Sequence, residues 1–457
     1  MVDKRDVAIV GGGFAGLSAG VALAERGFRV ALVERKPALG GRAYSFQDPD
    51  SGDFIDNGQH VLMGCYRETL DFLGRIGTRG GLFFHRNLEI EMLERGGRCG
   101  WLRTAAMPGP FHMSAALLRY RLLTARERWR VMAASAQMMR MRRRDPAALE
   151  RSTVADLMDL LGQGAREREC FWYPLATATL NDDPEVSSAA LLAEVLKRAF
   201  FGRRSDSAFV YSRVGLSDLY CGAAADFIQK RGGVVARHSA VETLELDADN
   251  CVTRLRLRDG SALEAANFIL AVGAPQLTRI IPAPLAADPY FARLSGLGVS
   301  PIVCVHVWLD RVVTDAAFIG FIGTATQWLF NKGKIFTQHG ARHGGYLSFV
   351  ISGARKLVDR TNDELLDLVM NDLRAMIPTA SAARIVKALV IKEKQATMAP
   401  DLASHRIRPR TATPVKNLFV AGDWIQTGLP ATIESAVISG RMAASAVAAR
   451  VDIPEAA

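Results

Sequence analysis

Asp6-Val7-Ala8-Ile9-Val10 runs without a break into Gly11-Gly12-Gly13-Phe14-Ala15-Gly16, and the reading of this junction decides the fold. The apolar run suits a strand buried on both faces. The glycines form a GxGxxG, and an Ala/Leu-rich stretch from Leu17 to Arg26 follows at helical spacing, closed by Gly27. Arg29 to Val33 (RVALV) then predicts a second strand, ending at Glu34. Strand, Gly-rich turn, helix, strand and acid together make a dinucleotide-binding βαβ unit. Gly11 permits the tight turn, Gly13 lets the backbone approach a pyrophosphate, and Gly16 lets helix and strand pack closely. The helix N-terminus offers free N–H groups to phosphate, and Glu34 can accept hydrogen bonds from ribose hydroxyls.

Composition sets the wider limits. The chain has 457 residues, 49% hydrophobic and 23% charged, which suits two or three structural units and excludes a disordered or collagen-like polymer. No apolar run reaches the length of about 18 residues that a spanning helix requires. Cys65, Cys99, Cys170, Cys221, Cys251 and Cys304 are scattered without CxxC spacing, so free thiols and no metal centre are expected. The apolar stretch from Val7 to Ala24 superficially resembles a signal peptide, but the organised glycine turn inside it argues for a cytoplasmic protein. The net charge of +10 is compatible with anionic partners. No zinc finger, RNP-like motif or DNA-reading basic helix accompanies it, so nucleic acid is not expected.

Further segments return to the nucleotide. Ala236 to Asp247 and Val252 to Leu257 predict strands, with a hairpin turn at Asp259-Gly260. Ala266 to Val272 (ANFILAV) predicts a buried strand ending at Gly273. Asn417 to Ala421 predicts a last strand, opening into Gly422-Asp423-Trp424 and a small-residue helix through Ala449. The expected architecture is therefore α/β. A discontinuous Rossmann-like dinucleotide-binding domain (1–70, 205–275 and 408–450) is expected to interleave with an α+β substrate-binding domain (71–204 and 276–407). Within the latter, Ile302 to Leu309 and Tyr346 to Ile351 predict strands, while Ala115 to Arg128 and Asp363 to Met376 predict helices.

Leu39-Gly40-Gly41-Arg42, following the acidic strand end, resembles the flavoprotein group that includes amine oxidases and phytoene desaturases. More specific stretches resemble the hydroxysqualene dehydroxylases, also known as squalene-associated FAD-dependent desaturases. These are Asp56-Asn57-Gly58-Gln59-His60-Val61-Leu62-Met63-Gly64-Cys65-Tyr66, Trp172-Tyr173-Pro174-Leu175 with Leu180-Asn181, and Gln327-Trp328-Leu329-Phe330. Lys394-Gln395-Ala396-Thr397 and Ala421-Gly422-Asp423-Trp424 through Glu434 complete the set. The resemblance implies FAD, bound through Gly11, Gly13, Phe14, Ala15, Gly16, Glu34 and Arg35 in the first unit. Gly41, Arg42, Gly58, Gln59, His60 and Val241 are implied next, with Gly422, Asp423, Thr432 and Ile433 near the C-terminus. Asp423 can accept hydrogen bonds from ribityl hydroxyls, although an Asp at a strand end also serves as a cap.

The implied reaction is reductive: hydroxysqualene, a C30 allylic alcohol, loses its hydroxyl and gains hydride from reduced flavin. Such chemistry needs an acid for the departing hydroxyl and aromatic shielding of any allylic cation. His60, Tyr173 and Lys394 are the candidate acids, and Trp172, Trp328 and Phe330 the candidate lining. The lysine that amine oxidases usually carry on the strand facing the flavin is missing from Pro301 to Leu309. The C-terminal motif also lacks the cysteine that tethers flavin in some relatives, so FAD is expected to be noncovalent. No second GxGxxG exists for a nicotinamide nucleotide, leaving the electron donor open. So insoluble a substrate implies contact with a membrane surface, for which Met107 to Arg144 offers a basic, partly apolar stretch. The alternatives are a carotenoid-type desaturase running the flavin oxidatively, a non-catalytic prenyl-binding protein and a plain NAD dehydrogenase.

Overall fold

A computed structural model describes residues 5–336 and 345–451. Its first seven-stranded sheet is built around Arg5–Val10, whose Val7, Ala8 and Ile9 are fully buried. That strand pairs in parallel with Val30–Val33 on one side and Ala262–Leu270 on the other. Val234–Ala236 and Leu418–Val420 extend the parallel set at its two ends. The hairpin Val241–Leu246 and Val252–Leu257 joins antiparallel to the start of Ala262–Leu270. Helices Phe14–Glu25, Leu216–Gln229 and Ile433–Val451 cover this sheet, sharing one apolar core with it. The strand expected from Ala236 to Asp247 is two strands, because His238 adopts a left-handed φ of 56° that breaks the run.

The second seven-stranded sheet runs in the order Ile385–Met398, Val299–Leu309, Tyr346–Ser352, Trp328–Asn331, Phe318–Ile322, Glu89–Glu94, Arg98–Arg103. All its pairs are antiparallel except Phe318–Ile322 with Glu89–Glu94. Helix Asn362–Met376 packs on one face, and a large helical layer containing Ala125–Arg144 and Ala189–Phe200 lies against the other. A three-stranded sheet of Val61–Met63, Phe209–Ser212 and Leu82–Phe84 bridges the two regions.

The helix expected from Ala115 to Arg128 is divided into Phe111–Leu118 and Ala125–Arg144. The first ends at Leu118, and Thr124 starts the second: its hydroxyl accepts the Glu127 N–H while the Glu127 carboxylate accepts the Thr124 N–H. This reciprocal cap satisfies two N-terminal donors that a continuous helix would not expose. The six cysteines are all free thiols. Among the described residues, no helix is long and apolar enough to cross a membrane.

Candidate active site

The carboxyl ends of the parallel strands open onto a cleft of about 750 Å³. Helix Phe14–Glu25 begins there with no side-chain cap, so its first-turn N–H groups face the cleft unpaired by any capping side chain. Gly16 lies so close to the Gly-rich turn that a Cβ would come within 1.9 Å of the Gly11 carbonyl oxygen. Gly41, at φ +63°, presses against Gly13, and a Cβ on it would sit 3.2 Å from the Gly13 Cα. Glu34 is positioned by its neighbours: its Oε2 accepts the Gly12 N–H at 2.8 Å and its Oε1 accepts the Lys36 N–H at 2.9 Å.

Three remote segments meet across the cleft. Arg42 makes an ion pair with Asp423 and donates to the Ala396 carbonyl at 3.1 Å. Arg35, Gly58, His60, Val241, Gly422, Thr432 and Ile433 also line the cleft, with Phe14 and Ala15 at the helix start. Arg408, which sequence reasoning missed, organises the C-terminal loop. Its buried guanidinium donates to the carbonyls of Asp423 at 2.8 Å and Ile425 at 2.6 Å, and also to that of Leu429. Burial lowers its pKa to about 10, against the opposing charge of Asp423. Nothing in a local window distinguishes such an arginine from the surface arginines around it.

A second cavity of about 290 Å³ adjoins the cleft. The two share His60, Ile302, Thr397, Ala431, Thr432 and Ile433, so these residues mark where they meet. The walls of the second cavity are largely apolar, including Leu88, Met92, Phe171, Phe209, Phe318, Trp328 and Phe330. Among the described residues that line it there is no Asp, Glu, Lys or Arg. Its few polar groups include Gln59, His60, Asn181 and Thr397. Burial, the dominant influence, lowers the His60 pKa; Asp56 acts against this and Lys332 with it, so the imidazole is neutral near pH 7.

Several sequence expectations need correction. Gln59 lines the apolar cavity and not the cofactor cleft. Trp172 lies in the core, fully buried, with its indole N–H donating to Gln163 Oε1 at 2.8 Å. The turn Arg168–Trp172 is wound in the wide i→i+5 manner, and Cys170 and Phe171 reach the cavity while Trp172 does not. Tyr173 is also off the cavity wall, although Pro174 and Leu175 are on it. Lys394 stands exposed on the far face of its strand, paired with Asp359 at 2.7 Å. Glu393, Gln395, Ala396, Thr397 and Met398 line the cleft instead, where the pairing with Val299–Leu309 slips between Glu393 and Thr397.

This cleft suits FAD. The facing glycine backbones and the uncapped helix N–H groups would hold a pyrophosphate, and Glu34 and the Arg42–Asp423 pair, which also line the cleft, would bind hydroxyls of the nucleotide. No cysteine lines it among the described residues.

Comparison with known proteins agrees with this geometry. Residues 14–448 match the family of flavin containing amine oxidoreductases, and the chain belongs to it. A 15-cis-phytoene desaturase of Synechococcus elongatus is 25% identical, covering 98% of this chain and 96% of the relative. A hydroxysqualene dehydroxylase of Zymomonas mobilis is 25% identical, covering 95% of this chain and 97% of the relative. In fold the chain is similar to a putrescine oxidase, with a TM-score of 0.75 and 18% identity over 98% of this chain and 99% of that one. A cyclohexylamine oxidase from Brevibacterium oxydans gives a TM-score of 0.70 at 16% identity, over 98% of this chain and all of the other. The protein is an FAD-dependent oxidoreductase of the superfamily that contains the amine oxidases and phytoene desaturases.

Proposed function

We propose that this chain is a hydroxysqualene dehydroxylase, replacing the allylic hydroxyl of a C30 isoprenoid with hydrogen to give squalene. The observation that carries this reading is the adjoining cavity, whose described lining holds no charged side chain. A cationic amine entering it would lose hydration without gaining a counter-charge, whereas a hydrocarbon chain loses nothing. The near end-to-end match to the Zymomonas mobilis hydroxysqualene dehydroxylase supports the same choice.

FAD, in its reduced form, supplies the hydride. The chain's own residues handle the rest. Phe171, Phe209, Phe318, Trp328 and Phe330 line the cavity, exclude water and surround any positive charge developing on the allylic carbons with aromatic side chains. The hydroxyl departs as water and requires a proton. His60, at the junction and neutral, fits a relay of that proton better than a standing acid. Tyr173 and Lys394 lie off the cavity and do not fit this role.

The phytoene desaturase relatives favour a second reading, in which oxidised flavin removes hydride from a polyisoprenoid. Anaerobic incubation of the FAD-loaded protein with chemically reduced flavin and hydroxysqualene separates the two. Squalene with flavin reoxidation is the expected result. Recovery of hydroxysqualene, together with dehydrogenation of phytoene by the oxidised protein, would replace the first reading with the second.

The proposed substrate class implies work at the inner face of the cytoplasmic membrane. Met107, Phe111, Leu118 and Trp129 are exposed apolar residues in and beside the divided helix. Arg119, Arg121 and Arg126 stand among them without an ion pair to any described residue. Such a surface suits anionic lipid. Binding to vesicles containing phosphatidylglycerol, weakened by salt and by Phe111→Ser with Trp129→Ser, is expected in flotation; salt-independent absence of binding would remove this placement.

A further inference from the structure

Lys332 is a lysine with a fully buried side chain. It opens the short helix Lys332–Ile335 and reaches Asp56 Oδ2 at 2.9 Å and Gln59 Oε1 at 2.8 Å. The face of the Phe336 ring lies 3.8 Å away. Burying an ammonium costs several kcal/mol unless its hydrogens are all satisfied. Asp56 supplies the counter-charge, and its other oxygen accepts the Leu216 N–H at 3.1 Å. The bond to Gln59 is not needed for charge balance, and its consequence lies in the amide it orients.

An ammonium only donates, so it decides which way the amide points: the Gln59 oxygen must face Lys332. The amide nitrogen is thereby turned away from the lysine. It makes no hydrogen bond to any described residue, and Gln59 lines the apolar cavity next to His60. Its neighbour Asn57 behaves differently, spending its amide on the Arg42 carbonyl at 2.8 Å and its oxygen on the Tyr44 N–H at 3.2 Å. Gln59 thus brings an unspent pair of donors to a wall that is otherwise mostly hydrocarbon.

We infer that Gln59 recognises the oxygen of a hydroxylated isoprenoid, and that Lys332 is the positioning residue that turns its amide toward it. The inference rests on the dehydroxylase reading and adds the residue that tells substrate from product. With its oxygen held by a cation, the amide is a stronger donor than a free glutamine. Squalene offers the amide no acceptor, so the completed reaction removes the contact that held the substrate.

The test uses the FAD-loaded full chain in detergent micelles, titrated with hydroxysqualene and with squalene, and reads the absorbance change of the bound flavin. The wild-type protein is expected to prefer hydroxysqualene by about tenfold, the value of one well-made hydrogen bond. Gln59→Leu is expected to abolish that preference, leaving squalene affinity and FAD content unchanged. Lys332→Met, which releases the amide, is expected to do the same. If it fails to fold, Gln59→Leu decides alone. A wild-type preference that survives in Gln59→Leu overturns the assignment of Gln59 while leaving the dehydroxylase reading intact. A wild type with no preference overturns the inference, while the dehydroxylase reading stands or falls on squalene formation from reduced flavin.

Discussion

His306 is 1% exposed on the strand Val299–Leu309, with its Nδ1 3.0 Å from the Tyr346 hydroxyl. Burial first, and then the charge of Lys332, lower its pKa from 6.5 to about 3. The sign follows from proton uptake. Between pH 7 and pH 5 the unfolded chain protonates this imidazole while the folded chain does not, so stability falls as acid is added. For this one group the loss is ~2 kcal/mol over that interval. Urea unfolding at the two pH values is expected to show His306→Gln losing that much less than the wild type; an identical loss would mean that His306 is solvated. Residue identity alone does not reveal such environments. Lys394 and Thr397 sit three positions apart on one strand, yet one is exposed and the other stands where cleft and cavity meet. A register irregularity between Glu393 and Thr397 separates them, and such an irregularity is legible only once the partner strand is known.

At the scale of elements, the final helix Ile433–Val451 lies on the first helix, Phe14–Glu25. A Cβ on Gly440 would come within 2.2 Å of the Ala15 carbonyl oxygen. Gly440→Ala gains about 1 kcal/mol of helix propensity. It must also push two backbones apart, at a cost of about 1–3 kcal/mol, and the helix that moves carries the N–H groups facing the cleft. The variant is expected to melt at a lower temperature and retain less flavin, read as the ratio of flavin to protein absorbance. A higher melting temperature with full flavin content would show that the helices separate freely. The small residues at helical spacing predicted close packing of this helix, but on a strand; the close approach at Gly440 is to the first helix instead. The break before Ala125 was missed, although Thr124-x-x-Glu127 marks a helix start. The turn at Arg168–Trp172 was not legible, since no local signal marks a wide turn, and it carries Trp172 off the cavity wall.

Across the whole molecule, the cleft draws on segments near Gly11, Gly41, Val241, Thr397 and Asp423, which lie far apart in the chain. A ligand that binds them all in the folded state adds its binding free energy to folding. At a free FAD concentration one hundred times Kd, the stabilisation is about 2.7 kcal/mol. One cooperative thermal transition, moved upward by several degrees on adding FAD, is the expected result. Two transitions of which one stays fixed would show that the two large sheets unfold separately. The βαβ opening, the acid after its second strand and the C-terminal Gly-Asp-Trp were readable from order and spacing, because a phosphate turn and a helix N-terminus are local structures. They pointed to a dinucleotide, and the resemblance of Leu39-Gly40-Gly41-Arg42 and the C-terminal motif to flavoproteins named FAD. The cavity beside it was not readable, for its wall takes single residues from many elements whose facing depends on register and crossing. The buried Lys332 was beyond the sequence for the same reason: its partners, Asp56 and Gln59, lie more than two hundred residues earlier. Local chemistry specified what binds, and tertiary packing alone decided which side chains face it.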